Sequence, residues 1–385
     1  MKIKAYRREN GEVGIRKHLV ILPTSVCASE TAVRIAEHIT EAIPLPHQHG
    51  CCQVGADADQ TVDTLVGLGK NPNVAAVLVV GLGCEGAEPA EVADRIAQTG
   101  KAVEKITIQD CGGTLKAIEE GTRIARDLAN DVVLMEKEEV DISEITLAIE
   151  CGGTDATSGI AANPAVGGAS DKLIELGGTS MLSETTELIG AEHVLAKRAA
   201  SEEVADQLLK TVKHIEDKAM RLGVDIRGGQ PTPGNIEGGV TTIEEKSLGC
   251  MYKAGTATIE GVLEYAEAPT KKGFHIMDTP GQDIESITGM LAGGAQVVIF
   301  TTGRGTPTGA PLAPVIKVTG NSETYQNMID NIDINAGKII DQGLTLEDLS
   351  EEIFATMVDV CNGKKTKAEL LEHHEFGIHK LTSTF

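Results

Sequence analysis

Short, mainly apolar runs punctuate the chain, and glycine, hydroxyl or thiol residues follow closely on their ends. The clearest are residues 19–23, 74–80, 103–108, 145–149, 178–182, 273–277, 295–300 and 315–318. Runs this apolar predict strands buried on both faces, as in parallel sheets covered by helices. Amphipathic stretches lie between them. Helices are expected from the Ser29 cap to about residue 40, and over 58–68, 89–98, 115–130, 167–176 and 201–222. The alternation predicts an α/β protein of two or more layers, with mostly parallel sheets and Rossmann-like topology. No dinucleotide site is expected: Gly81, Gly83 and Gly86 have the G-x-G-x-x-G spacing, but the helix expected after them starts only at about Pro89, so the motif does not open a helix as the dinucleotide fingerprint requires. The charged stretch Glu136-Lys137-Glu138-Glu139-Val140-Asp141 reads as an exposed linker. It divides an N-terminal α/β domain, 1–140, from a C-terminal catalytic domain, 141–385. The last fifty residues read as helical and polar, with His373 and His374 at the surface.

Composition narrows the function classes. A formal net charge of −23 over 385 residues repels nucleic-acid phosphates. With 2% aromatic residues and no tryptophan, there is little from which to build base-stacking platforms. No apolar run approaches a membrane span, and the start turns polar at once, so a soluble cytoplasmic chain is expected. Its eight cysteines then read as reduced thiols, metal ligands or core residues. A small anionic substrate stays open, since local Arg and Lys can reverse the field.

Candidate chemistry gathers at strand ends. Glu150-Cys151-Gly152-Gly153-Thr154-Asp155 follows one apolar run, Gly81-Leu82-Gly83-Cys84-Glu85 a second and Gln109-Asp110-Cys111-Gly112 a third. Ligands of open α/β sheets bind at such ends, so the three are expected to converge on one site; the plain alternative is a set of tight βα turns. His47-Gln48-His49-Gly50-Cys51-Cys52 is dense in metal-ligating types, although its spacing matches no zinc finger. Arg304, among the glycines and hydroxyls of Thr301–Gly309, suits a carboxylate or sulfonate through its guanidinium fork. Lys246 reads either as a group that orients a substrate carboxylate or as an exposed helix lysine. Glu192-His193 reads equally as a site pair or a helix surface. Asp278-Thr279-Pro280-Gly281 is similar to a nucleotide-hydrolase switch, but no phosphate loop accompanies it.

These pieces together resemble the large catalytic part of the altronate/galactarate dehydratase family, which also includes the large subunit of sulfolactate sulfo-lyase. The resemblance is carried by Tyr6-Arg7-Arg8, Gly14-Ile15-Arg16, His47-x-x-Gly50-Cys51, Gly81-Leu82-Gly83-Cys84-Glu85, Cys151-Gly152-Gly153-Thr154-Asp155, Leu182-Ser183-Glu184-Thr185, Gly190-Ala191-Glu192-His193, Pro233-Gly234-Asn235, Glu245-Lys246-Ser247-Leu248-Gly249, Asp278-Thr279-Pro280-Gly281 and Thr302-Gly303-Arg304-Gly305. They span nearly the whole chain in the family's order. His49, Cys52 and Cys111 depart from its pattern. The small antifreeze-like domain that precedes this region in single-chain members does not appear, so the resemblance implies a separately encoded small subunit and a homo- or hetero-oligomer.

What the resemblance implies is a metal-dependent lyase. It would remove a proton α to a carboxylate and expel a β substituent: water from a sugar acid such as altronate or galactarate, or sulfite from sulfolactate. The metal would be Fe(II) or another divalent ion held by some of His47, His49, Cys51, Cys84 and Cys151, or else an iron–sulfur cluster on Cys51, Cys84 and Cys151. Glu85, Asp155, Glu184, His193 and Lys246 are the candidate catalytic groups. Thr154, Asn235, Thr302, Arg304 and Thr306 are expected to hold the substrate. A non-catalytic binding scaffold with buried thiols is the alternative of a different class, and a nucleotide hydrolase a poorer one.

Overall fold

The computed structural model describes residues 1–40, 42–229 and 232–384. Its strands, in chain order, are β1 (Lys2–Arg7), β2 (Val13–Gly14), β3 (His18–Pro23), β4 (Ala42–Pro44), β5 (Val74–Gly81), β6 (Ala102–Thr107), β7 (Glu138–Asp141), β8 (Thr146–Cys151), β9 (Thr179–Leu182), β10 (Ile259–Leu263), β11 (Gly273–Met277), β12 (Val297–Thr301), β13 (Val315–Thr319) and β14 (Ile334–Asn335). Eleven of them form a four-stranded sheet, β4-β3-β5-β6, and a seven-stranded sheet, β10-β11-β9-β8-β12-β13-β14, while β2-β1-β7 make a small antiparallel one. Every pairing in the two larger sheets is parallel. The apolar runs are these central strands: β5 is buried along its whole length and β8 along nearly all of it. The expected α/β architecture with mostly parallel sheets is therefore present.

Three local expectations need correction. Residues 138–141 of the predicted linker form β7, which pairs antiparallel with β1 from Lys2↔Asp141 to Ala5↔Glu138. Alternation of Ile3, Ala5 and Val140 toward the core was the missed signal. The first helix begins at Val26, with Ser25 at its N-cap, and the Ser29 hydroxyl instead donates to the His47 carbonyl at 3.1 Å. After helices Leu346–Cys361 and Lys367–Leu370 the chain is not helical. Of the loop predicted around 228–235, Gln230 and Pro231 lie outside the described residues.

One helical layer separates the sheets. Helices Ala56–Lys70 and Asp283–Ala292 pack side by side, so closely that a Cβ on Gly67 would come within 2.5 Å of the Ala292 carbonyl. At their other ends Asp57 accepts from Leu381 N at 2.6 Å, while Glu285 pairs with the His379 ring at 2.8 Å. The helices thus run parallel under one C-terminal segment, which also receives the His49 ring at the Ile378 carbonyl, 3.0 Å away. The apolar core beside them is common to both sheets, joining Val20, Leu22, Val77 and Val79 to Ala148, Met181, Val298 and Phe300.

Buried amides tie the opposite, N-terminal strand edges. Asn73 Nδ2 donates to the carbonyls of Gln296 (2.8 Å) and Leu312 (2.9 Å), and its Oδ1 accepts from Ile15 N (2.9 Å). Asn73→Ala would leave these buried groups unpaired, and unmet buried hydrogen bonds cost about 1–3 kcal/mol each. A loss of about 2–4 kcal/mol is expected, read as a lower urea midpoint at unchanged slope.

Candidate functional site

In the seven-stranded sheet the chain proceeds from β8 through β9 to β10 and β11 on one side, then returns to build β12, β13 and β14 on the other. The reversal falls between β8 and β12, the place where open α/β sheets leave a ligand crevice beyond the strand ends. The two strand ends cross closely here. Gly152 N donates to the Thr301 carbonyl at 2.9 Å and Gly303 N to the Gly153 carbonyl at 2.8 Å. Only glycine fits at Gly303, since a Cβ would come within 2.4 Å of the Asp155 carboxylate.

Behind this crossing lies a buried cluster of thiols and charges. Cys151 ends β8, and its Sγ donates to Glu184 Oε2 at 3.1 Å. The same oxygen accepts from Cys151 N at 3.0 Å and from Lys253 Nζ at 3.3 Å. Lys253 is fully buried and Glu184 nearly so. Glu184 sits just past β9 with φ +61°. That left-handed backbone is uncommon for a branch-bearing residue and costs energy the surroundings must offset. Glu184 N donates to Thr279 Oγ1 at 2.6 Å, which holds the turn. Cys250 Sγ lies 3.7 Å from Cys151 Sγ. Lys246 Nζ pairs with Glu187 Oε1 at 2.7 Å, mostly out of solvent. Glu150 Oε2 accepts from Ser183 (2.8 Å) and Ser286 (2.6 Å), while Asp283 lies over Gly152.

Electrostatics follow from burial. Four carboxyls, of Glu150, Glu184, Glu187 and Asp283, face two ammonium groups, so negative charge is in surplus. Burial raises Glu184, but Lys253 and its hydrogen bonds outweigh this and hold its carboxyl below the usual range. The surplus is shed elsewhere. Burial, then the Glu184 charge, pushes Glu150 well up and lifts Asp283 to about 7. Glu187 also rises with burial. Its contact with Cys250, then burial, pushes the Cys151 thiol well up. Burial would lower Lys253, yet the acidic groups packed against it more than offset this.

Two donor groups in the cluster could accept a cation. Ligand atoms of Cys151, Glu187 and Cys250 lie within 4.8 Å of one another, as do those of Glu150, Glu184 and Asp283. The first fits a metal on two further counts. Glu187 Oε2 is buried with no hydrogen-bond partner, which is costly unless something satisfies it. Two sulfurs each about 2.3 Å from a tetrahedral ion would also sit about 3.8 Å apart, close to the observed Sγ separation.

The predicted residues divide sharply. Cys151, Glu184 and Lys246 belong to the cluster, and Lys246 is not the exposed helix lysine. Thr154, Asn235, Thr302 and Arg304 gather around Gly153, on the loops beyond the cluster. Thr154 N donates to Asn235 Oδ1 at 3.1 Å, Thr302 Oγ1 accepts from Gly305 N at 2.9 Å, and Arg304 is half exposed beside Glu237. Thr306 lies further along the same loop, bonded to Thr308 at 2.8 Å. Asp155 also lies here, but as an anchor. Its Oδ1 accepts from the backbone and hydroxyls of Thr157 and Ser158, and its Oδ2 from Asn321 at 3.1 Å.

The others stand apart. His47 spends both ring nitrogens, one on the Pro23 carbonyl at 2.8 Å and one on His49 N at 3.2 Å. Glu85 folds back on its own loop, accepting from Leu82 N, Gly83 N and Thr24 Oγ1. Cys51 and Cys84 are exposed on the four-stranded sheet, and His193 is exposed on its short helix. Among the described residues no three of His47, His49, Cys51, Cys84 and Cys151 bring donor atoms within 4.8 Å. The expected metal group on these five residues is thus corrected: the donor atoms that do come together beside Cys151 are those of Glu187 and Cys250. Sequence reasoning missed Cys250 and Lys253, although they follow Lys246 at i+4 and i+7 in a stretch that is helical here, Ile243–Met251 continued by Tyr252–Ala254. It also passed over Glu150, Glu187 and Asp283 as site groups.

Residues 142–384 match the family described as D-galactarate/altronate dehydratase, C-terminal, and residues 5–133 match D-galactarate dehydratase/altronate hydrolase, second domain. The chain is 39% identical to the (2R)-sulfolactate sulfo-lyase subunit beta of Chromohalobacter salexigens, covering 98% of this chain and 96% of that one. It is 33% identical to the altronate dehydratase of Bacillus subtilis, over 98% of this chain and 77% of the relative. Against the galactarate dehydratase (L-threo-forming) of Escherichia coli the figures are 34%, 99% and 76%.

Proposed function

Because the chain belongs to the D-galactarate/altronate dehydratase family, we propose that it is a lyase acting by β-elimination on a small hydroxy acid. Water leaves from a sugar acid such as altronate or galactarate, and the enol product becomes a 2-keto acid. The observation that carries this reading is the buried Glu184–Lys253 pair beside the Cys151–Cys250–Glu187 group, at the sheet's reversal point. A scaffold has no use for so costly an arrangement.

The reaction asks for an anion-binding mouth, a base and positive charge where the enediolate forms. Arg304, half exposed beside Gly153, supplies the mouth through its guanidinium fork. Glu184 is the carboxylate placed to take the α-proton, held by Lys253 and by its strained turn. Lys246 and Lys253 place positive charge beside the developing enediolate. Asp283, lying over Gly152, is positioned to return a proton to the departing hydroxyl. Cys151, Cys250 and Glu187 would hold a divalent metal, and their thiolates favour a softer ion such as Fe(II). When bound, the ion supplies Lewis acidity to the substrate oxygens.

A second reading, loss of sulfite from sulfolactate, is favoured by one observation. The chain is 39% identical to the sulfo-lyase subunit, against 33% and 34% for the two dehydratases named above. That relative is named as a subunit, which also supports a small partner polypeptide for this chain. A cytoplasmic setting suits eight free cysteines. No helix among the described residues is long and apolar enough to cross a membrane. The test is a 2-keto acid assay under anaerobic conditions, with Fe(II) and the small partner. Altronate, galactarate and sulfolactate are offered in turn, and sulfite is measured separately. A keto acid from either sugar acid without sulfite supports the first reading, and sulfite from sulfolactate the second. No product from any of the three defeats both.

A further inference from the structure

A loop beyond the strand ends of the four-stranded sheet carries thiols for which elimination has no use. Cys51 and Cys52 are consecutive, both are exposed, and their Sγ atoms lie 3.8 Å apart. Side chains of successive residues in an extended chain point to opposite faces. Here Cys52 adopts φ +56°, a left-handed backbone that takes the chain out of that alternation. Few non-glycine residues accept this conformation, because it is strained.

The surrounding loop is anchored on both sides of the pair. The His49 carbonyl accepts from Val26 N at 2.9 Å, and the Gly50 carbonyl accepts from Gly86 N at 3.0 Å and Ala87 N at 3.3 Å. Gly50 N donates to Gln53 Oε1 at 2.9 Å, and Gln53 Nε2 is held by Asp57 (2.8 Å) and Thr61 (2.9 Å). Fixed neighbours therefore present the two thiols together to solvent. Among the described residues the other sulfur pair in contact is Cys151–Cys250, and both of its members are buried.

We propose that Cys51 and Cys52 form a two-electron redox modification site that closes to a vicinal disulfide by exchange with a low-molecular-weight disulfide of the oxidised glutathione class. One Cys thiolate attacks a glutathione sulfur. The S–S bond of the reagent breaks, and one glutathione leaves as thiolate and takes a proton. The neighbouring thiolate then attacks the protein sulfur of the mixed disulfide and expels the second glutathione. Two protein thiols are oxidised to one disulfide, and one glutathione disulfide is reduced to two thiols. The second step is intramolecular between sulfurs already in contact, so it outruns accumulation of the mixed disulfide.

The test treats the native full-length chain with excess oxidised glutathione, quenches with acid, alkylates the remaining thiols and maps peptides by mass. In the wild type the peptide holding both residues should lack two hydrogens and escape alkylation, and a reductant should restore both thiols. Cys52→Ser and Cys51→Ser should instead retain glutathione on the remaining cysteine. Wild-type adduct should stay below about a tenth of that level. A stable adduct on wild-type Cys51 or Cys52 overturns the proposal, and so does finding both thiols unmodified.

Discussion

Lys253→Met will abolish turnover while Arg304 and the loops around Gly153 stay intact. The ammonium is fully buried against Glu184, so its loss leaves an uncompensated carboxylate in the interior. Breaking one side of a buried pair costs about 3–5 kcal/mol. It also removes positive charge beside the enediolate, for which a fall of about 10³-fold in kcat is expected. Stability and catalysis separate in a second variant. Lys253→Met combined with Glu184→Gln removes both charges and should recover most of the denaturation midpoint, yet remain inactive. Near wild-type kcat in the single variant, measured with saturating substrate, would remove Lys253 and Glu184 from the chemistry.

Cys250→Ser is expected to strip the metal. Serine is a poor ligand for a soft ion, and even a residue that only orients a metal ligand is worth about 10–100-fold in affinity. Iron per chain after anaerobic reconstitution and desalting should fall by at least that factor in Cys250→Ser, in Cys151→Ser and in Glu187→Gln. Turnover should fall with it. Cys51→Ser and Cys84→Ser should keep wild-type metal content, because these thiols lie on the other sheet. Loss of iron in Cys84→Ser with retention in Cys250→Ser would move the metal out of the seven-stranded sheet. Treating the wild type with a chelator should likewise silence it, and added Fe(II) should restore it.

The layout of strands was readable because β5 is apolar from end to end and β8 over Leu147–Ile149, as a doubly covered parallel sheet asks. β7 was not, since its four residues include three acidic ones and only Val140 turns inward. Cys151 and Glu184 could be singled out from their strand-end positions. Lys253 could not, because an isolated lysine on a helix is ordinarily solvated; only the fold shows that its helical face turns toward Glu184. The His47–Cys52 loop misled for the opposite reason. Its ligand-type residues are crowded in sequence, but the His47 nitrogens satisfy backbone groups and the thiols face outward.

The apolar core that Val20 and Val77 share with Ala148 and Phe300 has a genetic consequence. A reading frame cut near residue 141 would yield two sticky polypeptides, each with an uncovered greasy flank and a strong tendency to precipitate. The two halves are therefore expected to be inherited and translated as one unit. Whatever tinkering produces new substrate preferences in this lineage has to work through the loops at the strand ends, not by shuffling one half for another.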